Sequence, residues 1–476
     1  MTKNNARHGS HTAHQTVTEE FIEVPSGSES IRIGFTDQKI SGRAGLSTFC
    51  GYLAWHRFGR LLSKVLPDRQ AKAKAGRGGK PAQASYEVAM AFVAGVLSGA
   101  QRLTHVAFLR SDPMLPKLLA IRQIASQSTF SRFFALFRHA GINQGAFRPL
   151  WQWAMTRLPS LRGGYSLDLD STRLLHDDGH QEGVAIGFTR VGYKPCLHPL
   201  LAVLEEAKLV VGFWLRPGNT ACANNIVAFT LDLLGNLPRH IRLRLVRADS
   251  GFCQTPWLDL LESQNLRYIV VGKLHQPIQR LCRKETIWQV SPVPGTEVAS
   301  VWHQEIGWKN PRRLVLVRHR VKEKQRAGGK KLIDVEGYLF QVLVTNLPES
   351  VPAISVWRDY NPRAGCEGVI KQLGMDFALD KLCLKKFFAT EAAMSLAVMA
   401  YNLCVLFQKH LGWMDRVTAA TLRFRLFTTG GIISNTSGRT TIRLAVPVEQ
   451  RDWWRNLYQK LFSQFPNCNA IPSSPP

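Results

Sequence analysis

Four acidic residues in this 476-residue chain stand where their neighbours give them a direction. In YSLDLD (165–170) polar and apolar residues alternate, so Asp168 and Asp170 share one face of a strand. Asp249 follows the apolar run 241–246 in Arg247-Ala248-Asp249-Ser250-Gly251, which puts a carboxylate at a strand end. Arg363, Glu367 and Lys371 recur at four-residue spacing, which stacks them on one helical face, with Tyr360 just before. Read alone, that last set is an exposed helix laced by ion pairs. Read with the two aspartates, it is a third carboxylate flanked by cations. Converging carboxylates can hold a pair of Mg²⁺ ions about 4 Å apart, one activating an attacking oxygen and one stabilising a leaving oxygen. Mg²⁺ favours a few carboxylates plus phosphate oxygens over an all-protein cage; Mn²⁺ is the alternative ion. Neighbouring Arg and Lys would contact phosphate, Arg in a bidentate manner.

The elements that must position these residues follow from periodicity. After the strand at 165–170 come two apolar runs, 198–204 and 209–215, joined by Glu-Glu-Ala-Lys as a hairpin. A helix at 221–234, a strand at 241–246, a helix opened by Thr255-Pro256 and a strand at 267–271 complete the series. Strand, strand, strand, helix, strand, helix, strand is the order of the ribonuclease-H-like fold, in which the first and fourth strands lie side by side. That order brings together Asp170 and Asp249, 79 positions apart. Asn361-Pro362 reads as the start of the helix that carries Glu367. The expected fold class is α/β: a ribonuclease-H-like catalytic core, an inserted β-rich subdomain and a helical N-terminal DNA-binding domain.

The chain divides into a flexible tail (1–40), a helical DNA-binding domain (41–162) and the first part of the core (163–275). A β-rich insert (276–350), the segment completing the core with the Glu helix (351–412) and a C-terminal region (413–476) follow. Lys and Arg number 61 against 34 Asp and Glu, a net charge of +27, which points to a polyanionic partner. Residues 41–162 hold 18 basic and 3 acidic residues, so +15 falls in that quarter. Basic runs lie at 71–81 and 312–331. Ser126 to Phe137 resembles the second helix of a helix-turn-helix, offering Gln127, Ser128, Ser131 and Arg132 to DNA; a plain packed helix is the alternative. Trp288, Trp302 and Trp308 read as core, with stacking on an unpaired terminal base as the alternative, and His176, His180 and His198 lack a zinc-ligand pattern. Nine scattered cysteines without CxxC spacing point to reduced thiols in a cytosolic protein. The N-terminus has no signal-peptide core. The apolar stretches 88–97 and 393–407 are short or interrupted by Asn402, so no membrane span is expected.

DLDST (168–172), RADSGF (247–252) and Tyr360-x₂-Arg363-x₃-Glu367 resemble the DDE signature of bacterial insertion-sequence transposases, in the superfamily with a β-insert and a Tyr-Arg-Glu-Lys motif. With GHQEGVAIGF (179–188), GYKPCLHPLLA (192–202), RPGNT (216–220), LRSDPML (109–115) and SQSTFSRF (126–133), the chain resembles the thirteen-eighty family of insertion sequences. The resemblance implies a Mg²⁺-dependent transposase that binds terminal inverted repeats, cuts to expose 3′-OH groups and joins them to target DNA. It implies Asp170, Asp249 and Glu367 as catalytic metal ligands, with Asp168 a second candidate, and Tyr360 and Arg363 on the flanking phosphates. The family's Lys, seven positions after the Glu, is Gly374 here, and Lys371 is its expected substitute; Lys194 stands where relatives often carry Asn. Double-stranded DNA of the ends and the target, a homodimer when two ends are synapsed, and a nucleoid-associated place in a bacterial cytoplasm are further implications. The rivals are a metal-dependent nuclease of the same fold that cuts without joining, and a non-catalytic DNA-binding protein.

Overall fold

The computed structural model describes residues 21–27, 29–68, 82–176, 180–320, 337–413 and 415–463. Nine strands form one mixed sheet: β1 (Tyr165–Ser171), β2 (Leu200–Leu204), β3 (Leu209–Trp214), β4 (Leu243–Ala248), β5 (Tyr268–Val271), β6 (Gln289–Val290), β7 (Thr296–His303), β8 (Arg312–Arg320) and β9 (Tyr338–Thr345). Their order across the sheet is β6-β7-β8-β9-β5-β4-β1-β2-β3. β1, β4 and β5 run parallel; β2 is antiparallel to β1, and β3, antiparallel to β2, runs in the direction of β1 again. β1 is buried along nearly its whole length because both sheet faces are covered. Leu167 and Leu169 enter the main core, and alternation sends Asp168 and Asp170 to the opposite face.

Two expectations gain detail. The strands of the β-rich insert (276–350) join the central sheet. β9 pairs with β5, Ile269 to Val271 opposite Thr345 to Leu343, and β8, β7 and β6 follow outward, so the insert's strands extend the central sheet. The tail expected over 1–40 contains an exposed hairpin, Ile22–Ser26 with Glu29–Ile33, and Ile40–Ser41 joins Gly431–Thr436 and Arg439–Leu444 in a small sheet. A third small sheet, Leu174–Leu175 with Ala185–Thr189 and Gly192–Leu197, has no counterpart in the sequence reading. Gly187, Gly192 and Pro195 hide those strands from propensity. The basic run 71–81, residues 1–20 and residues 321–331 lie outside the described residues.

Six helices matter for the site: α1 (Ser85–Leu97), α2 (Gln127–Phe134), α3 (Ala140–Met155), α4 (Ala353–Tyr360), α5 (Ala364–Phe377) and α6 (Phe387–His410). α1, α2 and α3 pack on α6, and one continuous hydrophobic core runs through them and the sheet. α4 covers the other face of β7 and β8 with Val356, Trp357 and Tyr360 over Val298, Val315 and Val317. Among the described residues α6 alone is long and apolar enough to cross a membrane, and that window is wholly buried within the fold.

α6 also closes an edge of the sheet. Asn402 accepts the Val210 N–H at 2.9 Å through Oδ1 and donates to the Val210 carbonyl at 2.7 Å through Nδ2. Glu391 accepts the Leu215 N–H at 3.0 Å, and the Tyr401 hydroxyl donates to the Lys208 carbonyl at 2.8 Å. Side chains of one helix thus do for β3 what a tenth strand would do, because an edge strand's outward backbone groups need partners. That is why an asparagine interrupts the apolar stretch. Asn402→Leu leaves a buried N–H and C=O unpaired, so it is expected to cost about 2–5 kcal/mol in urea denaturation, at about 1–3 kcal/mol per group. A loss below about 0.5 kcal/mol would show that the edge is satisfied by other means.

Candidate active site

β1 and β4 are parallel neighbours with Leu169 opposite Ala248, so Asp170 and Asp249 are level on adjacent strands, which lie about 4.8 Å apart. They sit where the strands run out, the place where open α/β sheets hold ligands. Asp170 is buried, and its Oδ1 accepts the Ser171 N–H at 2.8 Å. The Asp249 Oδ1 accepts the Gly251 N–H at 2.9 Å and turns the chain into a short 3₁₀ segment, Ser250–Phe252. Glycine is required there, since a Cβ on Gly251 would come within 2.9 Å of the Cys222 Cβ.

The third acid arrives on α5, which packs on β1. The helix start expected at Asn361-Pro362 is instead a 3₁₀ turn, Asn361–Arg363, joining α4 to α5. Asn361 has helical backbone angles, so it lies within the turn and does not act as its side-chain cap; Pro362 is tolerated because a residue in the first turn needs no N–H partner. The turn delivers Arg363 into the sheet edge. Its Nη2 lies 3.1 Å from the Asp170 Oδ2 and 3.4 Å from the Leu169 carbonyl, and its Nη1 lies 3.8 Å from the Glu367 Oε1. Glu367 has a side chain 64% exposed, and its ion pair is with Arg363 rather than Lys371. Lys371 is exposed one turn further along. Tyr360 is buried at the end of α4.

Charge crowding is visible at each of these groups. Burial pushes the Asp170 carboxyl up to about 6; Arg363 pulls it down, and the Asp249 and Glu367 charges push it up again. Burial also raises the Tyr360 phenol to about 12, with Arg363 opposing and Asp249, Asp170 and Asp168 adding to the rise. Arg363, desolvated by burial, is held above its ordinary value by Asp170 and the other groups around it. Because the folded pKa of Asp170 exceeds the unfolded value of about 3.9, the stability that its protonated form supplies is complete below about pH 4. It is lost as pH rises to about 6. The wild type is therefore expected to lose on the order of 3 kcal/mol relative to Asp170→Asn across that window, read as denaturation midpoints at each pH. Parallel profiles for the two proteins would contradict a raised Asp170.

Asp168, the second candidate ligand, is already committed. It faces Arg247 across the β1–β4 ladder, both side chains fully buried, with Arg247 Nε 2.6 Å from Oδ1 and Nη2 2.9 Å from Oδ2. Both carboxylate oxygens are thereby used. Arg247 also donates to the Asp359 carbonyl at 2.6 Å, fixing the end of α4 next to Tyr360. Sequence reasoning missed this arginine; its signal was a charge on the strand face shared with Asp249. His198, one of the histidines without a metal pattern, is buried, and burial lowers it to about 4. Its neutral ring bridges the Thr220 carbonyl (2.8 Å) and the Ser171 hydroxyl (3.0 Å), next to Asp170.

Other expected residues fall elsewhere. On α2, Phe130, Phe133 and Phe134 are buried, while Gln127, Ser128, Ser131 and Arg132 face outward, with Ser126 capping the helix through the Thr129 N–H. Trp302 is exposed rather than core, while Trp288 and Trp308 are half-buried, each under an arginine, Arg318 and Arg312. The basic run opens with buried residues: Arg312 pairs with Asp259 and Glu262, and Arg313 donates to Ser300. No disulfide forms among the described cysteines. Among the described residues no three His, Cys, Asp or Glu side chains are set together as a metal cage; the acids gather around the Arg363 guanidinium instead.

The helix-flanked mixed sheet thus carries aspartates at adjoining strand ends. The chain belongs to the transposase DDE domain group 1 family, whose model matches residues 24–465, and with it to the transposases, the enzymes of DNA transposition and recombination. Among solved structures it is similar to piggyBac transposase in a synaptic complex with hairpin DNA, at 12% identity and a TM-score of 0.39, covering 92% of this chain and 85% of that one. No curated protein matches its sequence.

Proposed function

We propose that the chain binds the terminal inverted repeats of a mobile element, cuts the DNA ends and joins them to target DNA at the Asp170–Asp249–Glu367 site. The observation that carries this reading is Arg363, ion-paired to Asp170 and Glu367 at once, beside Asp249 on the neighbouring strand. In this reading the sheet order β3-β2-β1-β4-β5 is a ribonuclease-H-like core, and residues 351–412 complete it.

The three carboxylates suit a hard divalent ion. They offer oxygen donors only, and Asp170, its pKa raised first by burial and then by the Asp249 and Glu367 charges, is a carboxyl whose charged form a cation would stabilise. Asp170, Asp249 and Glu367 would hold Mg²⁺, or Mn²⁺, which when bound supplies activation of the attacking oxygen and charge neutralisation at the leaving one. The chain's own residues do the rest. Arg363 orients Asp170 and offers its fork to a phosphate. Tyr360 stays protonated and donates a hydrogen bond to phosphate oxygen. The Arg247–Asp168 pair keeps β1 and β4 in register beneath them. The +15 segment 41–162, with Gln127 and Arg132 on the outer face of α2, binds the repeats, and two chains pair the two ends as a homodimer.

Lys371 fills the role left by Gly374. It shares the helical face of Glu367 but is not tied to it, so its ammonium is available to a phosphate. Lys371→Ala is expected to slow end cleavage about 10- to 100-fold, the worth of one charged hydrogen bond at roughly 1.5–3 kcal/mol. Lys371→Arg should recover part of that loss. Cleavage within about twofold of wild type, under the 0.5 kcal/mol of an exposed helix pair, would leave that role unfilled. The reading as a whole is tested with the purified chain, Mg²⁺ and a duplex carrying the inverted repeat that flanks its gene. Cutting and strand joining support it, cutting alone assigns a nuclease of the same fold, and binding alone assigns a non-catalytic DNA-binding protein.

A further inference from the structure

The strand pair Ala185–Thr189 and Gly192–Leu197 stands out from the molecule as a β-ribbon with a firm root and a bare tip. At the root, Leu174 and Leu175 pair with Leu197 and Cys196, so the ribbon hangs on the chain leaving β1 just after Asp170. Arg173 donates to the Gly218 carbonyl at 2.7 Å, and the fit is close enough that a Cβ on Gly187 would lie 2.3 Å from that same oxygen. At the tip, Phe188 and Tyr193 are cross-strand partners on one face with rings 5.5 Å apart, edge to face, and 64% and 74% exposed. Ile186 continues that face, and Val191 is exposed at the turn. Exposed apolar residues clustered this way on a rigid support mark an interaction surface.

Charge selects the partner. From Val184 to Leu204 the sequence has no acidic residue; Arg190 is exposed at the turn, and Lys194, opposite Gly187, is exposed on the ribbon's other face. A second copy of a chain carrying +27 brings like charge to that surface, whereas a nucleic acid duplex brings phosphates for the cations and sugar and base edges for the rings. We infer that this ribbon is a DNA wedge: Ile186, Phe188 and Tyr193 enter the minor groove of the duplex held at the catalytic edge, and Arg190 at the turn grips an adjoining phosphate. The inference rests on the reading of the site as a DNA-cutting centre, and it adds a surface that distorts the duplex near the cut.

The test uses the full chain with Phe188 replaced by the photocrosslinker p-benzoylphenylalanine, in wild-type and Asp249→Asn backgrounds, on a radiolabelled duplex of the flanking inverted repeat. The expected result is a protein–DNA crosslink in both backgrounds. Phe188→Ala/Tyr193→Ala, at exposed positions with no folding role, should lower cleavage roughly 10-fold and remove permanganate reactivity of thymines at the cut. A crosslink to a second protein copy in place of DNA, or a double variant that cuts and distorts DNA like the wild type, overturns the wedge. Cleavage without a crosslink overturns the wedge alone. A crosslink without cleavage by the otherwise wild-type chain overturns the catalytic reading and keeps the ribbon on DNA. Neither signal overturns both.

Discussion

Asp249→Asn is expected to abolish DNA cleavage while leaving terminal-repeat binding near its wild-type level, and Asp170→Asn and Glu367→Gln are expected to do the same. Removing one charge from a preorganised electrostatic site costs about 3–4 kcal/mol, roughly 10²- to 10³-fold in rate. Asp249→Asn is the cleanest of the three. Among the described residues its Oδ1 accepts the Gly251 N–H alone, and an amide oxygen can accept that bond equally well. Glu367 is exposed, so its loss leaves the fold intact. Asp170→Asn also removes the charge nearest the buried Arg363, so its folding is measured alongside its rate. Gel-shift binding and cleavage rates on the same end duplex decide the matter: near-normal cutting by any variant removes that residue from the site.

Arg247→Leu is expected to destabilise the fold by about 3–5 kcal/mol, because it strands the fully buried Asp168 carboxylate. The double variant Asp168→Leu/Arg247→Leu should recover much of that loss, since replacing both members of a buried pair by apolar groups is often close to neutral. Urea denaturation of the two single variants and the double one closes the cycle. An Asp168 held in this way is a structural residue. If Asp168→Asn left stability untouched and removed cleavage, the carboxylate would belong to the metal site instead.

The parts of the site legible in the sequence were those that periodicity controls. Alternation in YSLDLD put Asp170 on a defined face, and the element series made β1 and β4 neighbours, so Asp170 and Asp249 stand level. Four-residue spacing put Arg363 and Glu367 within reach of each other. What escaped was non-local. Nothing near Asp168 indicates that its partner is Arg247, a pairing made only when the two strands align. Asn402 looked like a flaw in an apolar stretch until β3, 192 positions earlier, supplied its backbone partners. The ribbon after Asp170 went unseen because Gly and Pro interrupt its pattern, and the insert's place in the central sheet is decided by the β9–β5 ladder rather than by local preference.

The closure of β3 by α6 has its effect on the ribosome. Val210 leaves the exit tunnel long before Asn402 is made, and at about 5–20 residues per second the gap is roughly 10 to 40 seconds. Throughout that interval Leu209–Trp214, six residues with neither proline nor charge, presents an open hydrogen-bonding edge of the kind that recruits other strands. A chain ended before residue 402 would lack the side chain that closes this edge, and it is expected to pellet where the full-length chain does not when the two are centrifuged side by side.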